Sequence, residues 1–537
     1  MNIKQSPEQK NNSLTGFLGK LVRARWVTFI IGGLLCLYSI SGIFVFRKIP
    51  YLSDNTYAVV RWPLACILIG ALSLLINLGL FYAKKSKPRK IMLILSALAV
   101  VSLIGNSIIY QLNKEDSVDP GTVAYETSAV MDGQTFMAGA AKGDITPADE
   151  MFPMPLLAVI RFDKAIDHVY ARVLSVSDGT QEALFIMLDM TCVPYAEDLL
   201  PFLSEQTGLP EEKIFVAATH THGTSPVSMM DYINPLDNVK CRDWYEDIKS
   251  TLLVTIGEAR ANMVPARFGY GTGESLVNVN RDVLEGETAV IGSNFDGESD
   301  KTIRMLRFED LDGNPIALIV NYACHSVVTN GSLHYGIREA YTGDLAGRTS
   351  TKLEEQLDGA VVLWSSGAAG DQNPRIMVQY GGELEEDCAA PSNLGKAAYT
   401  ILEYLSDEHV RDILKANDSI QCDQTSGSIS CSEKTVTVEG INGGDQSYRL
   451  RLFIIGDFAM QGISAEVVTS VGKAVLETSP YENTMLVTLA NGYEGYVINE
   501  WEFDHDAFEK DLTRAARGVA EPAFVEGFED LFADVVP

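Results

Sequence analysis

Positive charge is scarce in this 537-residue chain: 42 Lys and Arg stand against 71 Asp and Glu, a net charge of −29 at pH 7. The basic residues crowd toward the start. Residues 1–120 hold 14 Lys/Arg and 5 Asp/Glu, and the rest holds 28 against 66. So acidic a remainder repels nucleic acid and anionic lipid surfaces at long range, and it carries no phosphate-binding footprint. Cysteine is scarce too, with eight residues. Cys36 and Cys66 fall in long apolar runs, and Cys192 and Cys324 end shorter ones and read as small core residues. Cys422 and Cys431 flank a Ser/Gly-rich turn, where a bridge and two separate thiols are equal readings. No internal repeat and no low-complexity tract is legible. Histidine is rarer still, seven in all, yet two of the seven sit within three positions.

Length comes next. A chain of 537 residues is too long for one ordinary core and argues for at least two parts. Residues 26–46, 62–83 and 91–112 run without a charged side chain and are rich in Leu, Ile, Val and Ala. At about 1.5 Å per residue each is long enough to cross roughly 30 Å of hydrocarbon. Trp26, Tyr82 and Tyr110 near their ends suit interfacial anchoring. Three such runs in succession exceed what a cleaved signal peptide explains, so they predict three transmembrane helices. Lys and Arg gather in residues 1–25 and 84–90. The positive-inside rule then predicts a multi-pass protein of the cell membrane, with residues 1–25 cytoplasmic and everything from 113 extracytoplasmic. Residues 113–134 are polar, lack an apolar period and read as a linker.

From residue 135 to 537 the pattern is mixed. Apolar, β-branched runs at 183–188, 214–218, 316–323, 361–364, 452–455 and 485–489 predict strands. Helical periods at 196–206, 243–263, 344–357, 393–405 and 465–477 separate several of them. Asp310-Leu311-Asp312-Gly313-Asn314 predicts a hairpin turn between 303–308 and 316–323. The fold class is therefore α/β (mixed α+β), and ligands in such folds collect beyond the carboxyl ends of strands.

The stretch Ile214–Pro226, IFVAATHTHGTSP, concentrates the chemistry. An apolar strand gives out at Thr219-His220-Thr221-His222 and passes into a Gly/Ser/Pro turn. If the chain stays extended there, alternation puts both imidazoles on one side. Such a pair suits a metal or acid–base site; a polar turn with one satisfied core histidine is the alternative. Other strands also end in polar residues: Cys324-His325-Ser326 after 316–323, and Gly370-Asp371-Gln372-Asn373-Pro374 beyond 361–364. Glu466 and Tyr496 lie past the last two runs.

The ordered set of these stretches resembles the catalytic domain of the neutral/alkaline non-lysosomal ceramidase family, across roughly residues 135–515. Ala141-Lys142-Gly143-Asp144-Ile145-Thr146-Pro147 resembles the family's opening motif and Ala218-Thr219-His220-Thr221-His222 its first metal-ligand motif. Asn280-Arg281 resembles a substrate-side arginine, Asn321-Tyr322-Ala323-Cys324-His325 the second ligand motif, Gly343-Asp344 a later acidic turn, and Gly370–Pro374 the loop of the active-site serine. The resemblance implies Zn²⁺ held by His220, His325, Glu466 and Tyr496. It also implies His222, Arg281 and Asn373 as catalytic residues, and hydrolysis of the amide (N-acyl) bond of a lipid or envelope-derived substrate by zinc-activated water. The implied setting is sphingolipid metabolism, in a membrane-anchored relative of bacterial type. Two histidines and a carboxylate also suit zinc on chemical grounds and leave a position open.

Three departures qualify that expectation. Asn373 stands where the family has serine, and a carboxamide is no nucleophile. Phe508 stands where the family has a tyrosine. The chain ends 41 residues after Tyr496, without the family's immunoglobulin-like domain. Two alternatives stay open: a zinc deacylase or esterase acting on sugars or small amides, and a degenerate, non-catalytic ligand-binding membrane protein.

Overall fold

One arrangement of strands and helices recurs three times. The computed structural model describes residues 135–156, 161–229, 238–330, 340–376 and 391–535. These lie within the second of two compact units, residues 123–537. The first module comprises Met137–Asp144 (β1), Tyr170–Ser177 (β2), Glu182–Leu188 (β3), Ala196–Thr207 (α1), Ile214–Ala218 (β4) and Asn238–Ala261 (α2). The second comprises Val264–Glu274 (β5), Thr302–Asp310 (β6), Pro315–Tyr322 (β7), Asp344–Gln356 (α3), Val361–Ser366 (β8) and Pro391–Asn417 (α4). The third comprises Ile429–Glu439 (β9), Asp445–Ile455 (β10), Phe458–Ile463 (β11), Thr469–Leu476 (α5), Asn483–Val487 (β12) and Ala520–Val535 (α6). In each, three strands pair antiparallel in sequence and the fourth lies parallel to the third. A parallel neighbour needs a crossover, and α1, α3 and α5 supply it. The repeat that the residues conceal is thus plain in the topology.

The modules stack as four layers. The first two join through β1 and β5 into one eight-stranded sheet, ordered β8-β7-β6-β5-β1-β2-β3-β4. The third module's sheet packs face to face on it. Phe185 and Phe215 meet Phe453 with ring centroids 4.9 and 5.3 Å apart. The outer faces are covered by helices, α2 lying on β1 and β2, α4 on β5, and α6 on β9 and β10. Strand β3 shows the consequence. Ala183, Phe185 and Met187 face the opposed sheet while Leu184, Ile186 and Leu188 face α1 and α2. A strand buried on both faces reads as a continuous apolar run, and that is why β3, β4 and β7 stand out in the sequence.

The mixed α/β class and the Asp310–Asn314 hairpin are as expected, with Arg304 opposite Asn321 and Phe308 opposite Ala317. The stretch expected to be helical from residue 465 begins only at Thr469, because Glu466–Val467 pairs instead with Tyr496–Val497. Cys422 and Cys431 are free thiols.

The membrane location needs correcting. Among the described residues no helix is long and apolar enough to cross a membrane, so the expected multi-pass, N-in placement is without support. The longest helices fail by polarity: α2 carries Lys240, Asp243, Asp247 and Glu258, and α4 carries Glu403, Asp407, Arg411 and Lys415. The stretches 26–46, 62–83 and 91–112 expected to span it lie outside the described residues.

Candidate metal centre

The three modules meet where their third and fourth strands end, and each supplies side chains there. His325 is the third residue beyond β7, and Glu466 is the third beyond β11. The same place in the first module is Thr191, third beyond β3, and its carbonyl accepts from His220 Nδ1 at 2.7 Å. Residues beyond β4 and β12 complete the set. Strand β4 stops at Ala218, and His220 adopts the left-handed conformation, φ 59°. The two imidazoles are therefore not alternate residues of one extended strand. They converge through the turn, with ring centroids 4.8 Å apart.

A free strand edge fixes the third module's contribution. Asn491, with φ 54°, places its side chain against β4, accepting from Val216 N at 3.1 Å and donating to Ile214 O at 2.8 Å. Its own N–H reaches Val216 O at 2.7 Å. The loop that carries Tyr493 and Tyr496 is thereby tied to the strand that carries His220. Thr221 bridges Ser326 and His222 N donates to Ser326 O at 3.0 Å, which ties the first module to the second.

The donor atoms lie close together. Glu466 Oε2 is 2.9 Å from His220 Nε2 and 3.1 Å from His325 Nε2. The Tyr496 hydroxyl is 3.1 Å from His325 Nε2, and His222 Nε2 is 3.4 Å from His220 Nε2. Ligand nitrogens of His220, His222 and His325 all fall within 4.8 Å of one another. Carbonyls settle the tautomers. His220 Nδ1 faces Thr191 O, and His325 Nδ1 faces Ala369 O at 2.7 Å. Both Nδ1 atoms therefore donate outward to a carbonyl, and both Nε2 atoms point inward at Glu466 Oε2. Two ring nitrogens and a carboxylate oxygen facing one another, all buried, form a donor set suited to a cation.

Charge and burial agree. Burial, with His220 and His325 beside it, drives His222 well below its usual range, and burial with Arg281 takes His325 down to about 4. Burial opposes a charge on Glu466, but the two facing rings outweigh it and hold the carboxyl well below the usual carboxylate range. Burial and Glu466 push the Tyr496 phenol well above its ordinary value. A divalent ion held among these donors would oppose that last shift.

Arg281 approaches from the hairpin Asn278–Glu285, Thr288–Asn294, an insertion between β5 and β6. The register shifts between Asn280 and Asp282, and this bulge aims Arg281 out of the ladder. Its Nη2 lies 3.2 Å from the Tyr496 hydroxyl, and its Nη1 lies 3.3 Å from Asn373 Oδ1 and 3.4 Å from His325 Nε2. All seven residues singled out in the sequence thus share one place. Asp371 does not point into it. Its carboxylate accepts from Thr469 N and Asn280 Nδ2 at 2.8 and 3.0 Å, joining the second and third modules. Two residues went unnoticed. Tyr493 hydrogen-bonds Glu466, which with burial keeps its phenol protonated, and its signal was its place three residues before Tyr496. Glu509 pairs with Arg281, and nothing but its position beside Phe508 marked it.

No protein-family model matches the chain. Curated relatives do. The chain is 26% identical to neutral ceramidase B of Dictyostelium discoideum over 292 residues, 50% of this chain and 38% of that protein. It is 25% identical to neutral ceramidase of Drosophila melanogaster over 263 residues, 45% of this chain and 36% of the relative. The match spans less than two fifths of the length of either. Among solved structures, neutral ceramidase from Pseudomonas aeruginosa superposes with a TM-score of 0.57 at 17% identity, covering 75% of this chain and 74% of that one. A ceramidase complexed with C2 gives 0.53 at 16% identity, covering 75% and 76%. These likenesses share the fold, and the curated matches share sequence. The described domain is thus similar to the neutral ceramidases in sequence over about half of this chain, and similar in fold to the two solved ceramidases.

Proposed function

We propose that this domain is a zinc-dependent amidohydrolase that removes the acyl group from an N-acylated lipid of ceramide type. The observation that carries the reading is the convergence of His220, His325, Glu466 and Tyr496 from three modules on one buried point. Zinc–donor bonds of about 2.0–2.1 Å in a tetrahedron put donors roughly 3.4 Å apart. Three of the separations here, 2.9, 3.1 and 3.1 Å, lie within a few tenths of an ångström of that spacing. Two imidazoles and a carboxylate suit zinc in kind, and the phenol would add a further donor beside the position that water needs.

Zinc, when bound, supplies a Lewis acid and lowers the pKa of water toward about 7. The chain's own groups do the rest. His222, half-buried and held neutral, would take the proton of the attacking water at Nε2 and pass it to the nitrogen of the leaving amine. Arg281 Nη1 and Nη2 are donors aimed where negative charge develops on the acyl oxygen, and Asn373 Oδ1 anchors one of them. Asn373 offers no nucleophile, so this loop forms no acyl-enzyme.

The test is direct. Zinc-loaded protein is incubated with a short-chain N-acylsphingosine, an N-acetylated sugar and a simple amide, and products are separated by liquid chromatography. His325→Ala serves as the blank. Release of the long-chain amine by the parent alone supports the proposal; release only from the sugar or the simple amide, or from none, refutes it.

A further inference from the structure

We propose that Glu509 is the positioning residue of Arg281, the group that lets a guanidinium stay beside a divalent ion with its N–H groups aimed at the reacting carbonyl. The inference rests on the hydrolase reading above. Arg281 Nε and Nη2 both face Glu509 Oε1, at 2.7 and 2.5 Å. Glu509 is wholly buried and Arg281 is 4% exposed, so water cannot replace either partner. The rings of Tyr496 and Phe508 lie 5.7 and 5.5 Å from the guanidinium carbon. With one edge held by a carboxylate and two rings against it, the plane has little freedom. What remains, Nη1 and the outer side of Nη2, faces Asn373, His325 and the Tyr496 hydroxyl.

Electrostatics supplies the reason for the anchor. A bound dication among Glu466, His220 and His325 would repel Arg281 a few ångströms away, and buried charges are poorly screened. The Glu509 carboxylate offsets that repulsion from the far side. It hydrogen-bonds none of the candidate ligands, so its influence passes through Arg281. Phe508 belongs to the same device: where a tyrosine would present a hydroxyl, this chain lays an apolar face against the cation.

The experiment combines Glu509→Gln, which keeps the shape and removes the charge, with Arg281→Met and the double variant, each checked for metal content and melting temperature. With the substrate that the parent hydrolyses, Glu509→Gln is expected to lower kcat on the order of 100-fold with little change in KM. In the Arg281→Met background it changes kcat by less than about twofold, because the two act as one unit. Glu509→Asp recovers part of the loss, and it carries the test if Glu509→Gln folds poorly. A second readout needs no turnover: with Co²⁺ in place of zinc, Glu509→Gln shifts the visible absorption band only when Arg281 is present. Equal losses in both backgrounds, or an unmoved cobalt band, overturn the proposal. Should no variant nor the parent hydrolyse anything, the cobalt coupling still decides for or against Glu509 while the hydrolase reading falls by itself.

Discussion

His220 Nε2 and Glu466 Oε2 lie 2.9 Å apart, although they come from the first and third modules of the fold. A buried contact of this kind is satisfied by a proton on the imidazole or by a cation in its place. The same holds for Glu466 and His325 at 3.1 Å. The fold therefore holds two imidazoles and a carboxylate together in an arrangement suited to a cation.

Metal binding follows from that contact, and it is measurable without any substrate. The purified domain is expected to hold one zinc per chain by elemental analysis. His220→Ala and His325→Ala each abolish it, whereas a change at the equally buried His409 does not. Ligand binding to the native state adds RT ln(1 + [L]/Kd), about 2.7 kcal/mol at a free zinc concentration 100 times Kd. Chelation should accordingly lower the melting temperature of the parent and leave that of His325→Ala unmoved. A parent that melts identically with and without chelator contradicts the site.

Tyr496→Phe separates ligation from packing. The ring is buried and stacks near His325 with centroids 6.5 Å apart, and phenylalanine keeps that. Only the oxygen is lost, together with its contacts to Arg281 and Glu466. Zinc affinity, read by competition with a chromophoric chelator, is expected to fall about 10- to 100-fold, with the unfolding midpoint of the metal-free protein nearly unchanged. Unaltered affinity would leave Tyr496 a hydrogen-bonding core residue.

Much of the site was readable because its chemistry stands at strand ends. His220 and His325 follow runs buried on both faces, and such runs announce themselves by unbroken apolarity, whereas Glu466 follows a strand interrupted by Gln461 and was marked only by the family resemblance. The fold was legible only as a class. The threefold recurrence of strands and crossover helices escaped, because each module fills the same backbone plan with different side chains. Thr191, His325 and Glu466 share one position and have no chemistry in common. The alternation argument for His220 and His222 failed for a local reason, the left-handed turn at His220. Glu509 was invisible for a different one: a carboxylate in an acidic chain reads as surface, and only the fold shows it buried against Arg281.

Acid stability should depend on His409. This ring is fully buried, accepts from Trp364 Nε1 at 3.2 Å through Nε2, and faces Ser275 Oγ at 3.1 Å through Nδ1. Burial takes it down to about 3 from 6.5. Above pH 6.5 both folded and unfolded chains hold it neutral, and it contributes no pH dependence. Below that value the unfolded chain binds a proton that the folded chain refuses until near pH 3. Stability from this group is thus present above 6.5 and falls with pH at up to about 1.4 kcal/mol per unit. His409→Gln, which can still accept from Trp364, should flatten that part of the profile in urea melts between pH 7 and 4. An unchanged slope would show that the ring is protonated in the folded protein.

Asn491 carries the last prediction, since it joins the first module to the third. Its carboxamide substitutes for a neighbouring strand, pairing with Val216 N and Ile214 O, and it sits at φ 54°, a conformation that asparagine tolerates better than most residues. Asn491→Ala removes both bonds, strands two buried backbone groups and strains the backbone. Each unsatisfied buried group costs about 1–3 kcal/mol, so a loss of roughly 2–5 kcal/mol in urea unfolding is expected. Asn491→Asp keeps an acceptor but loses the donor to Ile214 and adds a buried charge, and it should be no milder. Gly at 491 relieves the strain alone and should recover less than about 1 kcal/mol relative to alanine. Zinc affinity ought to fall with stability in this series, because the strand that Asn491 holds is the one that delivers His220. Affinity that stays constant while stability drops would mean that the metal centre does not depend on the junction between β4 and the Tyr496 loop.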